Sequence, residues 1–424
     1  YLSSIYFFKI INLRFNRLDI SLISTSFYII SPRIFGDSFH NNKDILFLSL
    51  ITFALYFMFK YFKDKKKFTL IIFAFLCAIS TSTRMMGVFV PILFIIFSYF
   101  DNYKKKEIFI KEFVITISFY LIFLLIHWPY LWANPINNLK FLIFNPSINL
   151  HPLYILFNGK YYLTTQLPDY YLLFWIVISY PISYLLLNLA GIYFLLLRFF
   201  NRLTKINEEK VHKDLWRGNN EKFDNFCLVS LLGILFIAST FYFPFIGGWR
   251  HFYFLHFFLI YIIAYLINFI YIKYKIKNLI YLVSIISIVF SSYQIFKFHP
   301  FESLYLNNII SNKSKNNFQI DMPALSRAHA LKTIYKDSDN KKINIANASF
   351  VPFKNGADLL DDNIKEKFKF VGNEYDKADY IYTNLIYEID ISYNDKYNIP
   401  NNFILFKSLS IDSIDIYKIY KKRN

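Results

Sequence analysis

Nine apolar stretches, at about residues 18–34, 45–61, 68–83, 86–100, 113–130, 170–197, 225–244, 252–271 and 278–296, dominate the first 297 positions, and a shorter one, Tyr1 to Ile11, precedes them. Runs of about 17–25 apolar residues match the hydrocarbon thickness of a bilayer, and a helix is the form in which such a run satisfies its own backbone polar groups there. The expected fold is therefore an all-α polytopic membrane bundle of about nine complete spans plus a partial one. Tyrosine, not methionine, stands first, and the opening run reads as the tail of a truncated helix.

Charge orients this bundle. Basic residues gather at Arg14 and Arg17, Lys60 to Lys67, Lys104 to Lys111, Arg198 to Lys222 and Lys273 to Lys277, about 21 in every second loop against about six in the others. By the positive-inside rule the basic loops face the cytoplasm. Segments 31–44, Arg84, 131–169, 245–251 and everything after Phe298 then face outward. The two cysteines, Cys77 and Cys227, fall inside apolar runs, where a thiol packs as a small hydrophobe.

The outward segments carry the unusual residues. SPRIFGDSFHNNKD, Ser31 to Asp44, crowds Arg33, Asp37, Lys43 and Asp44 beside hydrocarbon, where charge is costly and marks function. HWPYLWANP holds Trp128 and Trp132, FNGKYYLTTQLPDYY holds Lys160, Tyr161 and Tyr162, and FPFIGGWRHFYF holds Arg250 and His251. Each has a plainer alternative. Aromatic rings anchor helices at the headgroup level, arginines snorkel to lipid phosphates, and an aspartate before a helix caps its free amides. The functional alternative for Arg84 and Arg250 is a planar guanidinium fork that holds a phosphate.

From Phe298 the composition turns polar and nearly charge-balanced, with 18 basic and 16 acidic residues, so most of the chain's net charge of +18 belongs to the membrane part. MPALSRAHALKTIY predicts a helix behind the N-cap Asp321, while KINIANA, KFKFV, ADYIYTNL, NFILFKSL and SIDIYKIYK alternate like strands. The predicted domains are a membrane part, 1–297, and a small soluble α/β domain, 298–424. No glycine-rich phosphate loop and no zinc-ligand spacing occurs, which leaves no nucleic-acid or nucleotide reading.

Ser31 to Asp44, HWPYLW, NGKYYLTTQLPDYY, GGWRHF, HPFESLYLN, ADYIYTN and SIDIYKIYK, in this order, resemble bacterial membrane proteins related to protein O-mannosyltransferases. They are similar to the wider GT-C class of lipid-donor glycosyltransferases, which includes enzymes that transfer aminoarabinose to lipid A. The resemblance implies a multi-pass protein of the bacterial inner membrane with an extracytoplasmic C-terminal domain. Its implied reaction moves a sugar from a polyprenyl-phosphate carrier to a saccharide, lipid or protein acceptor.

By the same resemblance Asp44 matches the second acidic position of the class, with Asp37 a further catalytic candidate in the same loop. The principal acid of the class is expected upstream of Tyr1. Arg84, Arg250 and His251 are the residues implied for the donor phosphate, and Trp128, Trp132, Lys160, Tyr161 and Tyr162 for the sugar or acceptor. No cofactor is called for, and a divalent metal is left open because the outward carboxylates and histidines show no characteristic ligand spacing. A secondary transporter or flippase is the principal alternative. It calls for ionisable groups at mid-membrane and an internal repeat, and the sequence shows few charges inside the spans and no repeat. A non-catalytic assembly or sensor protein is the third reading.

Overall fold

The computed structural model describes residues 1–102, 104–144, 153–204, 218–240, 245–274, 276–338, 342–387 and 395–423. The helices of this part are α1 (Leu2–Phe15), α2 (Leu18–Ile29), α3 (Pro32–Asp37), α4 (Asn42–Asp64), α5 (Lys67–Thr83), α6 (Phe89–Asp101), α7 (Lys106–His127), α8 (Pro135–Phe144), α9 (Tyr171–Ser179), α10 (Ile182–Thr204), α11 (Asn219–Thr240), α12 (Leu255–Tyr274), α13 (Lys277–Phe298), α14 (Ser326–Asp337) and α15 (Asp362–Lys365). The strands are β1 (Tyr154–Phe157), β2 (Lys160–Leu163), β3 (Ile343–Asn347), β4 (Phe368–Phe370), β5 (Tyr380–Thr383), β6 (Phe403–Ile411) and β7 (Ile414–Lys422).

The described residues of the nine apolar runs lie mainly on helices, the last part of the run 225–244 falling outside the described residues. Among the described residues six helices are long and apolar enough to cross a membrane: α4, α7, α11, α12, α13 and the Ile182–Asn201 part of α10. Leu18–Ile29, Lys67–Thr83 and Met85–Asp101 are apolar but shorter. Prolines account for two departures from the expected bounds. The run 170–197 is split into α9 and α10 because Pro181 has no N–H to continue the ladder, and its carbonyl instead accepts from Leu185 N at 3.0 Å. The run 18–34 stops at Ile29, and Pro32 opens α3 at the first turn, where a missing N–H costs nothing.

The chain divides into two compact units. The first comprises Tyr1–Asn149, Tyr180–Ala238 and His251–Phe296; the second comprises Leu150–Ser179, Ser239–Arg250 and Lys297–Asn424. In the first, α12 is the central helix, buried without interruption from Leu255 to Asn268, as expected of a helix apolar all round. Phe7 of α1 meets Phe257, and Phe59 of α4 meets Tyr261. His256 is fully buried and ties three segments, bonding the Tyr180 hydroxyl through Nδ1 at 2.7 Å and the Tyr28 carbonyl through Nε2 at 2.9 Å. By contrast α7, α10 and α13 expose Ile126, Leu189 and Phe296, an apolar surface suited to lipid.

The first unit also buries a charge network that the sequence reading, with its few interior charges, did not anticipate. Asp224 of α11 receives Arg14 Nε at 2.8 Å and Nη2 at 2.6 Å, Arg198 Nη1 at 2.8 Å and the Tyr261 hydroxyl at 2.9 Å. Lys222 Nζ lies 2.8 Å from Asp101, and Lys65 Nζ reaches Asp101 at 3.5 Å and Glu112 at 3.0 Å. Glu112 further accepts from the Tyr61 hydroxyl at 2.7 Å, from Asn102 at 3.1 Å and from Ser98. With Glu221 beside Arg198, the four cations and four anions balance. This balance explains how Asp224 and Lys222 persist at 0% and 1% exposure.

The second unit holds a five-stranded sheet in the order β4-β3-β5-β7-β6, with β3, β4 and β5 parallel and the β6–β7 hairpin antiparallel. All five strand segments read from the sequence are present. The helix read at Met322 begins later, at Ser326, after a turn in which the Asp321 carboxylate accepts from Leu325 N at 2.8 Å and from the Ser326 hydroxyl at 2.6 Å. Burial pushes the Asp321 carboxyl up to about 6 against those hydrogen bonds. The β1–β2 hairpin turns at Asn158-Gly159, both at positive φ, the Asn-Gly signature of a two-residue turn. Phe157 of this hairpin packs on Tyr171 and Phe174 of α9 and on Phe318.

Candidate functional site

The segment from Ser31 to Asp44 folds as a short helix, a turn and the start of a long helix. Asn41, not Asp44, caps α4: its Oδ1 accepts from Asp44 N at 3.0 Å, and its backbone N–H donates to the Asp37 carbonyl at 2.8 Å. Asp44 therefore sits inside the first helical turn, where the helix dipole favours a negative charge. Its side chain is 4% exposed. One oxygen accepts from Asn41 Nδ2 at 2.9 Å, and the other accepts from Arg84 Nη2.

Arg84 reaches Asp44 from the extended residue that ends α5. The backbone then folds into a 3-10 turn, Met85–Val88, with Gly87 N bonded to the Arg84 carbonyl at 2.8 Å. Glycine is required there. A Cβ at Gly87 would stand 2.5 Å from the Ser80 carbonyl carbon, so the turn lies flat on the end of α5 and fixes where Arg84 begins. Thus two residues 40 positions apart become a nearly buried ion pair.

Asp37 closes α3, is 4% exposed and lies 2.9 Å from His40 Nε2. Arg33, one turn earlier on α3, is also buried. The sequence reading selected neither Arg33 nor His40 as a site residue. The i,i+3 spacing of Asp37 and His40 was the available signal, weak because such spacing matters only once α3 and its following turn are formed.

The other expected residues lie elsewhere. Trp128 and Trp132 bracket the turn after α7 in the first unit, where Trp132 Nε1 donates to the Leu125 carbonyl at 2.7 Å and the ring is 63% exposed. Lys160, Tyr161 and Tyr162 form β2 in the second unit, with Tyr162 edge-on to Phe157. Arg250 belongs to the second unit too, its side chain folded over Gly247, and His251 follows at the start of the last stretch of the first. The structure thus joins Asp44 directly to Arg84, while the tie to Asp37 runs from the Asn41 N–H to the Asp37 backbone carbonyl. Among the described residues no group of three or more histidines, cysteines or carboxylates is placed to hold a metal ion.

Residues 1–132 match the family model described as dolichyl-phosphate-mannose-protein mannosyltransferase. The match suggests a membrane glycosyltransferase of the mannosyltransferase type, and it does not favour the transporter alternative. No curated protein and no solved structure matches the chain. The matched stretch contains Asp37, Asp44, Arg84, Trp128 and Trp132, and it stops short of Lys160, Arg250 and His251.

Proposed function

We propose that the chain transfers a sugar, in the simplest case mannose, from a polyprenyl-phosphate donor to an acceptor hydroxyl at the extracytoplasmic face of a bacterial inner membrane. The buried Asp44–Arg84 pair carries this reading, because it lies within the stretch that matches the mannosyltransferase family and provides a guanidinium at a helix end. The sidedness rests on the distribution of Lys and Arg among the loops. On the same ground 298–424 is an extracytoplasmic soluble domain.

Chemically, the acceptor oxygen forms a bond to the anomeric carbon as the bond from that carbon to the phosphate oxygen breaks. The hydroxyl proton passes to a carboxylate, and the lipid phosphate departs with an added negative charge. A guanidinium fixed beforehand stabilises that charge without reorganising at the moment of reaction. Asp44, with Asn41 and Arg84 on its two oxygens, is suited to hold Arg84 in place. Asp37, beside His40, is the carboxylate suited to take the proton. Arg250 and His251 remain proposed donor contacts, and Trp128, Trp132 and Lys160 to Tyr162 proposed acceptor or sugar contacts.

The test is transfer itself. Protein reconstituted with bacterial membrane lipids is given polyprenyl-phosphate mannose labelled in the sugar, and label leaving the donor for a second molecule is measured. Transfer by the wild type and loss in Asp37→Asn support the reading. Label that stays on the donor, or that crosses the bilayer still attached to it, supports the flippase alternative instead.

A further inference from the structure

The second unit carries a cationic face that the transfer chemistry does not use. Helix α14 buries Ser326, Ala330, Leu331 and Ile334 and turns His329, Lys332 and Lys336 outward. At 3.6 residues per turn these three positions fall within about 60° of one another, so they form one row. The neighbouring hairpin adds a fourth group. Lys407 of β6 stands opposite Ile419 of β7, two residues from Tyr417, and so lies on the sheet face from which the Tyr417 hydroxyl reaches α14.

The row is mounted on a fixed base. His329 Nδ1 shares a hydrogen bond with the Tyr417 hydroxyl at 2.9 Å, and its ring meets Phe301 edge-on at 5.8 Å. Partial burial, and then the charges of Lys407, Lys336 and Lys332, hold the His329 pKa below the ordinary histidine value. The charges that act on this imidazole are thus cations. Among the described residues no carboxylate lies within ion-pair distance of Lys332, Lys336 or Lys407, and the nearby acids are engaged elsewhere. Asp337 holds Lys421 at 2.7 Å and the Tyr380 hydroxyl, Asp415 holds Lys418 at 3.2 Å and the Ser410 hydroxyl, and Asp321 is buried behind Ser326.

This chemistry selects an extended polyanion. One exposed lysine contact contributes only about 0.2–1 kcal/mol, so a lone anion is not held, whereas a strand that presents several charges engages the row together. A lysine ammonium meets phosphate oxygens as a point charge, and no arginine fork stands in the row to favour a planar carboxylate. The rings beneath the row, Phe301 and Tyr417, are 2% and 0% exposed, which leaves no platform on which nucleic-acid bases could stack.

We infer that this face binds an extended polymer of phosphodiester-linked sugar or polyol units, its phosphates lying along Lys332, Lys336 and Lys407. The inference stands whether or not the chain is a transferase. The test is titration of the full chain, in nanodiscs of zwitterionic phosphatidylcholine, with poly(glycerol phosphate), with glycerol phosphate at matching phosphate concentration and with oligothymidylate of matching charge. The polymer is expected to bind, and the triple variant Lys332→Gln/Lys336→Gln/Lys407→Gln to weaken it about tenfold, or about 1.4 kcal/mol. The slope of log affinity against log salt should become shallower by about 2, at about 0.7 for each phosphate contact removed. Lys365→Gln/Lys369→Gln/Lys377→Gln, which removes the same charge at exposed positions outside the row, should leave affinity and slope unchanged, with melting curves checking that both variants fold. Absent polymer binding, unchanged affinity in the row variant, equal losses in the two variants, displacement by the monomer, or tighter binding of oligothymidylate overturns the inference. So does protection of α14 from hydrogen exchange when phosphatidylglycerol enters the disc without polymer, which would make the row a contact for lipid headgroups. The titration contains no lipid-linked sugar, so its result is independent of the transfer assay.

Discussion

Helix α4 carries two kinds of buried charge. In its first turn Asp44 pairs with Arg84; in its last turn Tyr61 joins the network of Glu112, Lys65, Asp101 and Lys222, roughly 25 Å away at 1.5 Å per residue. The network is large, electrically balanced and spread over α1, α4, α6, α7, α10, α11 and α12, and its carboxylates Asp224 and Glu112 are each held by side chains from several helices at once. The pair at the other end joins the first turn of α4 to the residue that ends α5, with the capping Asn41 on the second Asp44 oxygen. Many-fold satisfaction is what a bundle needs to hold its helices together. A guanidinium fixed by a carboxylate at a helix end is what a site for a transient anion needs.

Breaking the network tests the first half of that contrast. Asp224→Ala leaves Arg14 and Arg198 facing each other without their shared anion, and it should lower stability by about 3–5 kcal/mol, read as a lower melting temperature in detergent. A change under about 1 kcal/mol would mean that the network is solvated and does not hold the bundle. Removing the Arg84 guanidinium tests the second half. Arg84→Ala should lower sugar transfer by about a hundred- to a thousandfold, the usual effect of deleting one fixed donor to a developing oxyanion. If folded Arg84→Ala transfers at the wild-type rate, Arg84 belongs with the network as a structural charge.

Asp321 sharpens the comparison, because it is a buried carboxylate held by amides and hydroxyls. Its folded value, about 6, lies above the ordinary carboxyl value, so the folded form binds the proton more tightly than the unfolded form. Its contribution to stability is therefore present at low pH and is lost as pH rises through about 6, by on the order of 2–3 kcal/mol. Melting of the second unit at pH 4.5 and 7.5 should show that slope, and Asp321→Asn should flatten it. The smallest effect is expected at Gly87. Gly87→Ala forces the Arg84 turn off the end of α5, costing about 1–3 kcal/mol and lowering donor affinity by misplacing the guanidinium.

Much of the architecture was legible because it depends on local pattern. Apolar run length marked the helices, alternation marked the five strands of the sheet, and Pro181 and Asn158-Gly159 were readable as a helix break and a hairpin turn, though both were passed over as parts of longer segments. The charge network was not legible. Arg14 and Asp224 are 210 residues apart, and each reads locally as a loop charge until helix packing brings them together. The candidate site was half legible. Asp44 and Arg84 were each singled out for their cost beside hydrocarbon, but their pairing depends on a turn whose tightness comes from Gly87, and Asn41 took the capping role that Asp44 was given as its plainer alternative. Trp128 and Lys160, grouped in sequence by their aromatic loop, fall in different compact units.

The central claim is that Arg84, held by Asp44, binds the phosphate of the lipid donor. Its most direct test is the affinity of the reconstituted chain for polyprenyl-phosphate mannose, measured for the wild type, Arg84→Ala and Asp44→Asn, with melting curves to confirm that each is folded. Both variants should bind the donor at least about tenfold more weakly, a difference of about 1.4 kcal/mol, with Arg84→Ala the weaker of the two. Unchanged donor affinity in both folded variants would contradict the account and leave the pair as a structural contact between α4 and the end of α5.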